Sequence, residues 1–383
     1  MKRFPSKEIS EDFNFFIKKL DKIHPNPYRI ISKQDLEKRL SKLLSKYEML
    51  DDSTFIFELM KIFCKIGDSH TRIRGFDELL SQKEYPFRVT LLNDTYYIVA
   101  VDYKHQKYIG SKILSLNGVS IEDIISKMSA VITHENEVVL SNGVQAWLSD
   151  LDLLKYLEIV KEDLILNIET DKGKIKLKPV KVSKDELCNP RKDSIQKSET
   201  LNPKGLYWRK YYKELDTYYL QYNECEDITK KEILGIVDEI RKNQVKFVVT
   251  DLRNNPGGSS LILDPFTDFL FENQDRIIPI VFISNNTFSA AIINALNILD
   301  CKNSVSIGKK TAGAPTKFGQ TVEIVLPNSK IVLSVSTKYF EEKGYEFGAP
   351  LVPKIEVKES IQEYLGGIDV DWEEFLKQRK HLI

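Results

Sequence analysis

The stretch VFISNNTFSAAIINALN, residues 281–297, decides the fold of the C-terminal half. A run of Val, Phe and Ile stops at two asparagines. An Ala-rich pattern follows, with Ile292, Leu296 and Leu299 at i, i+4 and i+7. That spacing predicts a helix with one buried stripe behind a strand that is apolar on both faces. Ser289 falls at the hinge between them. Thr287 or Asn286 is the better N-cap, which puts Ser289 inside the first turn. As a helix-start hydroxyl it needs no further explanation. As a nucleophile it would find its oxyanion met by the unpaired N–H groups of that turn.

The same alternation extends outward. Upstream lie a strand pattern DTYYLQY (216–222), a helical one ITKKEILGIVDEIRKN (228–243) and an apolar strand VKFVVTDL (245–252). A helix LILDPFTDFLFEN (261–273), interrupted by Pro265, precedes the strand IIPIVFIS (277–284). Strands of this kind, alternating with helices, predict a largely parallel sheet covered on both faces.

Residues 11–23, 35–47 and 54–66 repeat apolar residues at helical spacing, and Pro25 and Pro27 break the first from the second. Residues 96–101, 111–119, 163–170 and 173–182 read as strands joined by Asn-Gly and Asp-Lys-Gly turns, with a short helix over 121–128. A polar stretch from Ser183 to Gly205 has little periodicity. The expected fold class is therefore α+β and multidomain: a helical bundle over 1–78, a β-rich domain over 79–182, a linker or mobile loop over 183–206, and an α/β core over 207–383.

A chain of 383 residues is long enough for two or three domains. Apolar residues are 42% and charged residues 29% of it, the balance of a globular protein. Lys plus Arg and Asp plus Glu both number 56, so no global field favours nucleic acid or an anionic bilayer. The apolar run IIPIVFI is too short to cross a membrane. The N-terminus has no apolar h-region, so no signal peptide is read there. Cys64, Cys188, Cys225 and Cys301 are widely spaced with no C-x-x-C, which fits reduced thiols in a cytoplasm. No cofactor or metal is expected.

Three further stretches carry chemistry. In VVTDLRNNPGGSS (248–260) Gly257 and Gly258 follow a strand end, where open α/β sheets bind ligands; a tight strand-to-helix turn accounts for them equally well. In IGDSHTRI (66–73) His70 is flanked by small and hydroxyl residues. Of the five histidines it is the best general-base candidate: His24 sits in the Pro-rich break, His105 among charges, His134 in a solvated segment and His381 at the C-terminal end. In KGYEFGAPLVPKIEV (343–357) Glu346 stands between Gly344 and Gly348, in a loop where a solvated glutamate is the ordinary outcome.

In this order, and with SIGKKTAG (306–313) and LPNSKIVLSVSTKYF (326–340) between them, these stretches resemble the C-terminal-processing (tail-specific) serine peptidases, a family that includes the tricorn protease core. The resemblance covers about 45–80 and most of 215–360. It implies a ClpP/crotonase-like core, and the segment 109–128 resembles the second half of a PDZ module. One branch of the family uses a lysine directly after T-x-G; here Thr311, Ala312 and Gly313 are followed by Ala314, while Lys317 lies further on and Lys309 and Lys310 precede. The tricorn-like branch uses a Ser–His–Ser–Glu tetrad. The resemblance therefore implies Ser289 as nucleophile, His70 as base, and Ser69 and Glu346 as orienting groups. It also implies an oxyanion hole from the N–H of Ala290 and one of Gly257 or Gly258. Neighbours such as Ser69 and His70 can cooperate only if the backbone turns there, which Gly67 permits. The implied substrates are peptides or unfolded C-terminal protein segments. The alternative is a non-catalytic small-molecule or peptide binder on the same scaffold, which would have no need of all four side chains.

Overall fold

The computed structural model describes residues 5–76, 79–178 and 187–382. The chain divides into two compact units, Met1–Asn189 with Lys317–Glu341, and Pro190–Thr316 with Glu342–Ile383.

In the first unit the three predicted helices form over Ser6–Ile23, Lys33–Leu44 and Asp52–Phe63. Ser32 and Asp51 cap the second and third by accepting N–H groups of Asp35 and Thr54. An antiparallel sheet follows, in the order Phe87–Leu92, Thr95–Val101, Lys112–Leu116, Leu166–Thr170, Gly173–Leu177. Three helices, Ile121–Met128, Glu137–Trp147 and Leu151–Tyr156, are inserted before its fourth strand. Only the first was legible from spacing. Phe16, Leu20, Phe57 and Phe63 of the helices belong to one hydrophobic cluster with Phe87, Ile98, Leu116 and Ile168 of the sheet. The helical and β-rich regions thus share a core, where a boundary at 78/79 was expected.

A hairpin distant in sequence completes this unit. Lys317–Val325 and Val332–Phe340 pair antiparallel with each other, and Arg72–Arg74 adds a third strand with Arg72 opposite Ser334. Ile324, Leu333 and Val335 enter the same cluster. Residues 317–341 therefore leave the 207–383 block to which the sequence reading assigned them. Of the expected linker, residues 183–186 lie outside the described residues, as do 179–182 of the last expected strand. Beyond them Pro190–Gln196 is a short helix.

The second unit holds a six-stranded sheet in the order Ile355–Glu356, Val305–Gly308, Ile278–Ile283, Phe247–Asp251, Thr217–Tyr222, Tyr207–Tyr212. All neighbours are parallel except the last pair. Alternation along each strand feeds two cores. Tyr218, Leu220, Val248 and Val281 face one, with helices Lys230–Asn243, Asp264–Glu272 and Ala290–Leu299. Tyr219, Phe247, Val249, Ile280 and Phe282 face the other, covered by Trp372 and Phe375 of the helix Val370–Gln378. Burial on both faces is why these strands read as continuous apolar runs. Pro265 does not interrupt a helix; it lies in the first turn of Asp264–Glu272, where its missing N–H is not needed. Among the described residues no helix is long and apolar enough to cross a membrane.

Candidate functional site

The singled-out residues fall into two groups, one in each unit. Ser289, Ala290, Gly257, Gly258 and Glu346 belong to the second unit, Ser69 and His70 to the first.

Around Ser289 the geometry begins with the strand Phe247–Asp251, which runs into Leu252–Gly258 at the C-terminal edge of the sheet. Asn255 organises that loop: its Nδ2 donates to Tyr222 O at 2.9 Å, its Oδ1 accepts Gly257 N–H at 2.9 Å, and its carbonyl accepts Phe288 N–H at 3.0 Å. Thr287 Oγ1 donates to Leu252 O at 2.9 Å, and Gly313 N–H donates to Thr287 O at 3.0 Å. Thr287 and Phe288, on the N-terminal side of Ser289, are thus fixed from two sides, and the helix from Ala290 follows.

Between them Ser289 takes φ 52° and ψ −117°. A residue with a Cβ is strained there, by about 1–3 kcal/mol. The conformation is not helical, so the helix starts at Ala290 with Ser289 as its N-cap, two or three residues later than the sequence reading placed it. Ser289 makes no side-chain cap, and Thr287 spends its hydroxyl on the loop. The Ala291 and Ile292 N–H groups bond to Phe288 O at 3.1 Å and Ser289 O at 3.2 Å, which leaves that of Ala290 as the first-turn donor without an intrahelical acceptor. Gly257, at φ +111°, is pressed against this turn: a Cβ on it would sit 2.6 Å from Ser289 Cβ and 3.0 Å from Ala290 N. Its own N–H is committed to Asn255, which leaves that of Gly258 (φ +129°) as the glycine donor available to an oxyanion.

Arg253 anchors the loop from behind. It pairs with Asp251 and Asp369 at 2.7 Å and with Asp371 at 2.9 Å, and lies over the Phe282 ring. Burial and the neighbouring Asp369 charge raise the Asp371 carboxyl against the pull of Arg253, whereas Arg253 together with Thr200 holds that of Asp369 down despite burial. Glu346 is exposed, on a turn between Gly344 and Gly348.

In the first unit the chain leaves the helix Asp52–Phe63 through Gly67, at φ +71°, and closes a turn in which Thr71 N–H donates to Asp68 O at 3.1 Å. Ser69 and His70 are the central residues of that turn. The backbone does turn where their cooperation requires it. Asp68 is the hub. Its Oδ1 accepts His70 N–H at 2.9 Å, and its Oδ2 accepts Thr71 Oγ1 at 2.5 Å, Ser336 Oγ at 2.6 Å and His24 Nε2 at 3.1 Å. Asn26 N–H donates to His24 Nδ1 at 3.1 Å, so the His24 proton sits on Nε2 and points at Asp68. Burial works to raise the Asp68 carboxyl, but the His24 bond, the His70 charge and the two hydroxyls hold it below the usual carboxylate range.

His70 is buried, with Nδ1 3.8 Å from Asp68 Oδ1. Burial pushes its pKa down to about 4; Asp68 opposes this, while Lys317, Arg72 and Arg74 add to it. Ser69 donates its backbone N–H to Glu135 Oε1 at 3.1 Å, and its hydroxyl is buried without a partner. Burial and the Asp68 charge push the Glu135 carboxyl well up. Lys317 is also buried, which lowers its ammonium to about 8 against the pull of Glu135. Sequence reasoning missed Asp68, Glu135 and His24. His24 was set aside as part of a Pro-rich break and Glu135 as part of a solvated segment, and neither carries a local signal of burial.

No family profile matches the chain, and no curated protein matches it. Solved structures do. The fold is similar to that of mature CPAF, with a TM-score of 0.68 at 14% identity over 98% of this chain and 96% of that one. Mature CPAF complexed with lactacystin gives 0.67 at 15% identity, over 98% of both chains. A candidate peptidase of Parabacteroides merdae gives 0.53 at 12% identity, over 97% of this chain and 96% of that one. At such identities the likeness establishes a shared mixed α/β fold.

Proposed function

We propose that this chain is a serine-type peptidase of the tail-specific kind, cleaving peptides or unfolded protein segments through an acyl-enzyme on Ser289. The observation that carries the proposal is the strained backbone of Ser289 at the start of an uncapped helix, with Gly257 held against it. Strain of this sort persists where the surroundings over-determine it, and it clusters at functional sites. The fold shared with the candidate peptidase of Parabacteroides merdae agrees with this reading.

In the proposed reaction Ser289 Oγ attacks the scissile carbonyl while His70 Nε2 takes its proton. The negative oxygen is met by the N–H groups of Ala290 and Gly258, each worth about 3–4 kcal/mol. His70 returns the proton to the leaving amine, the C–N bond breaks, and water then cleaves the ester by the same steps in reverse order. A neutral imidazole suits the base, and the Asp68 carboxylate 3.8 Å from Nδ1 favours the tautomer with its proton there. The resemblance assigns the orienting roles to Ser69 and Glu346. Glu135, bonded to the Ser69 backbone, is a second carboxylate for that role.

Hydrolysis of a fluorogenic unfolded-protein substrate tests the assignment. Ser289→Ala and His70→Ala should each lower turnover by about 10⁴-fold or more. Glu346→Gln and Glu135→Gln should cost less, since they act at one remove. Near-normal turnover in Ser289→Ala would refute the mechanism.

A further inference from the structure

Asp68 and His70 share one turn of the first unit and Glu135 comes from a separate segment; each presents one ligand atom within 4.8 Å of the other two. Their partners leave particular atoms over. Asp68 Oδ2 is taken by Thr71, Ser336 and His24, Oδ1 accepts one backbone N–H, that of His70, and Glu135 Oε1 accepts the Ser69 N–H. Glu135 Oε2 and the adjoining Ser69 Oγ are buried with no hydrogen-bond partner. A buried polar atom left this way costs about 1–3 kcal/mol, so an occupant that bonds to it is favoured. Asp68 Oδ1 and His70 Nδ1 are 3.8 Å apart. Two ligands on a tetrahedral metal with 2.0–2.1 Å bonds are separated by about 3.3 Å, so a small inward shift brings this pair to ligand spacing.

We propose that this cluster binds one divalent cation of the zinc class, held by Asp68 Oδ1, His70 Nδ1 and Glu135 Oε2, with the Ser69 hydroxyl or a water completing a tetrahedron. One imidazole among carboxylates selects zinc over the all-oxygen preference of calcium or magnesium. The Lys317 charge acts on both Glu135 and His70, and those of Arg72 and Arg74 on His70; together they lower the affinity relative to an unopposed site. On the peptidase reading, on which this part rests, the ion is an inhibitor. A neutral imidazole carries one ring proton. With the metal on Nδ1 that proton stays on Nε2, which then donates and cannot accept the proton of Ser289.

Zinc binding to the full chain, measured by competition with a chromophoric chelator, tests the site without reference to activity. The wild type should take up one equivalent. Glu135→Gln, which preserves shape, and His70→Ala should each weaken binding by about 10-fold or more, with thermal melts confirming that both remain folded. A wild type that does not bind, or binding unchanged in both folded variants as capture by cysteines would give, overturns the site. Hydrolysis measured with zinc and again after chelation tests the consequence: reversible inhibition supports it, and bound zinc without inhibition overturns the regulatory role. Zinc binding in a chain that hydrolyses nothing after chelation counts against the peptidase reading alone.

Discussion

Ser289 is held where glycine would be comfortable and serine is not. Ser289→Gly should therefore be more stable than Ser289→Ala by about 1 kcal/mol in denaturant unfolding, relief of strain exceeding the added chain entropy of glycine. Equal stabilities would mean the conformation carries no strain. Gly257→Ala should lower turnover by about 100-fold or more, because its Cβ meets Ser289 Cβ at 2.6 Å and its φ is +111°. For His70 the sign follows from the direction of the shift. Its pKa is lowered to about 4 from an ordinary 6.5, so the neutral base persists below pH 6.5 and is lost only as pH falls through the lowered value. The pH profile of kcat/KM should be flat from neutral to about pH 5 and fall beyond it. An acid limb centred near 6.5 contradicts this environment. At this scale Ser289, His70 and the two glycines stand out as candidates because each lies inside a short motif with its chemistry on the surface of the sequence. Glu135 and His24 were not, since what matters about them is burial against Ser69 and Asp68, 66 and 44 positions away.

Among the elements, the loop after the strand Phe247–Asp251 depends on Arg253. Removing that guanidinium leaves Asp251, Asp369 and Asp371 buried together. Arg253→Ala should destabilise the chain by about 3–5 kcal/mol in denaturant unfolding. Asp371→Asn should cost under about 1 kcal/mol, because burial already raises that carboxyl toward its neutral form. Comparable losses in both would mean the three carboxylates act as equals. The sequence showed this loop as DLRNNPGG, and the strand, turn and glycines could be read from it. The partner of its arginine could not, because the helix Val370–Gln378 approaches only through the packing of Trp372 and Phe375 on the far face of the sheet. The late start of the helix Ala290–Leu299 was hidden for a similar reason: Thr287, the best local cap, is claimed by Leu252.

For the whole molecule, the parallel sheet of the second unit was legible because burial on both faces leaves long apolar runs at regular intervals. Which strands join which unit was not. Lys317–Val325 and Val332–Phe340 read as a continuation of the α/β region, yet they pair with Arg72–Arg74 and pack with the N-terminal helices. Native-state hydrogen exchange should show the amides of Val332–Phe340 opening with those of Asp52–Phe63; opening with those of Phe247–Asp251 would contradict the division into units. The central claim is that Ser289 is an activated nucleophile, and labelling of the folded chain with a fluorophosphonate, followed by mass mapping, tests it most directly. The account predicts a single adduct on Ser289, lost in Ser289→Ala and strongly slowed in His70→Ala; no adduct, or one on another serine, would contradict it.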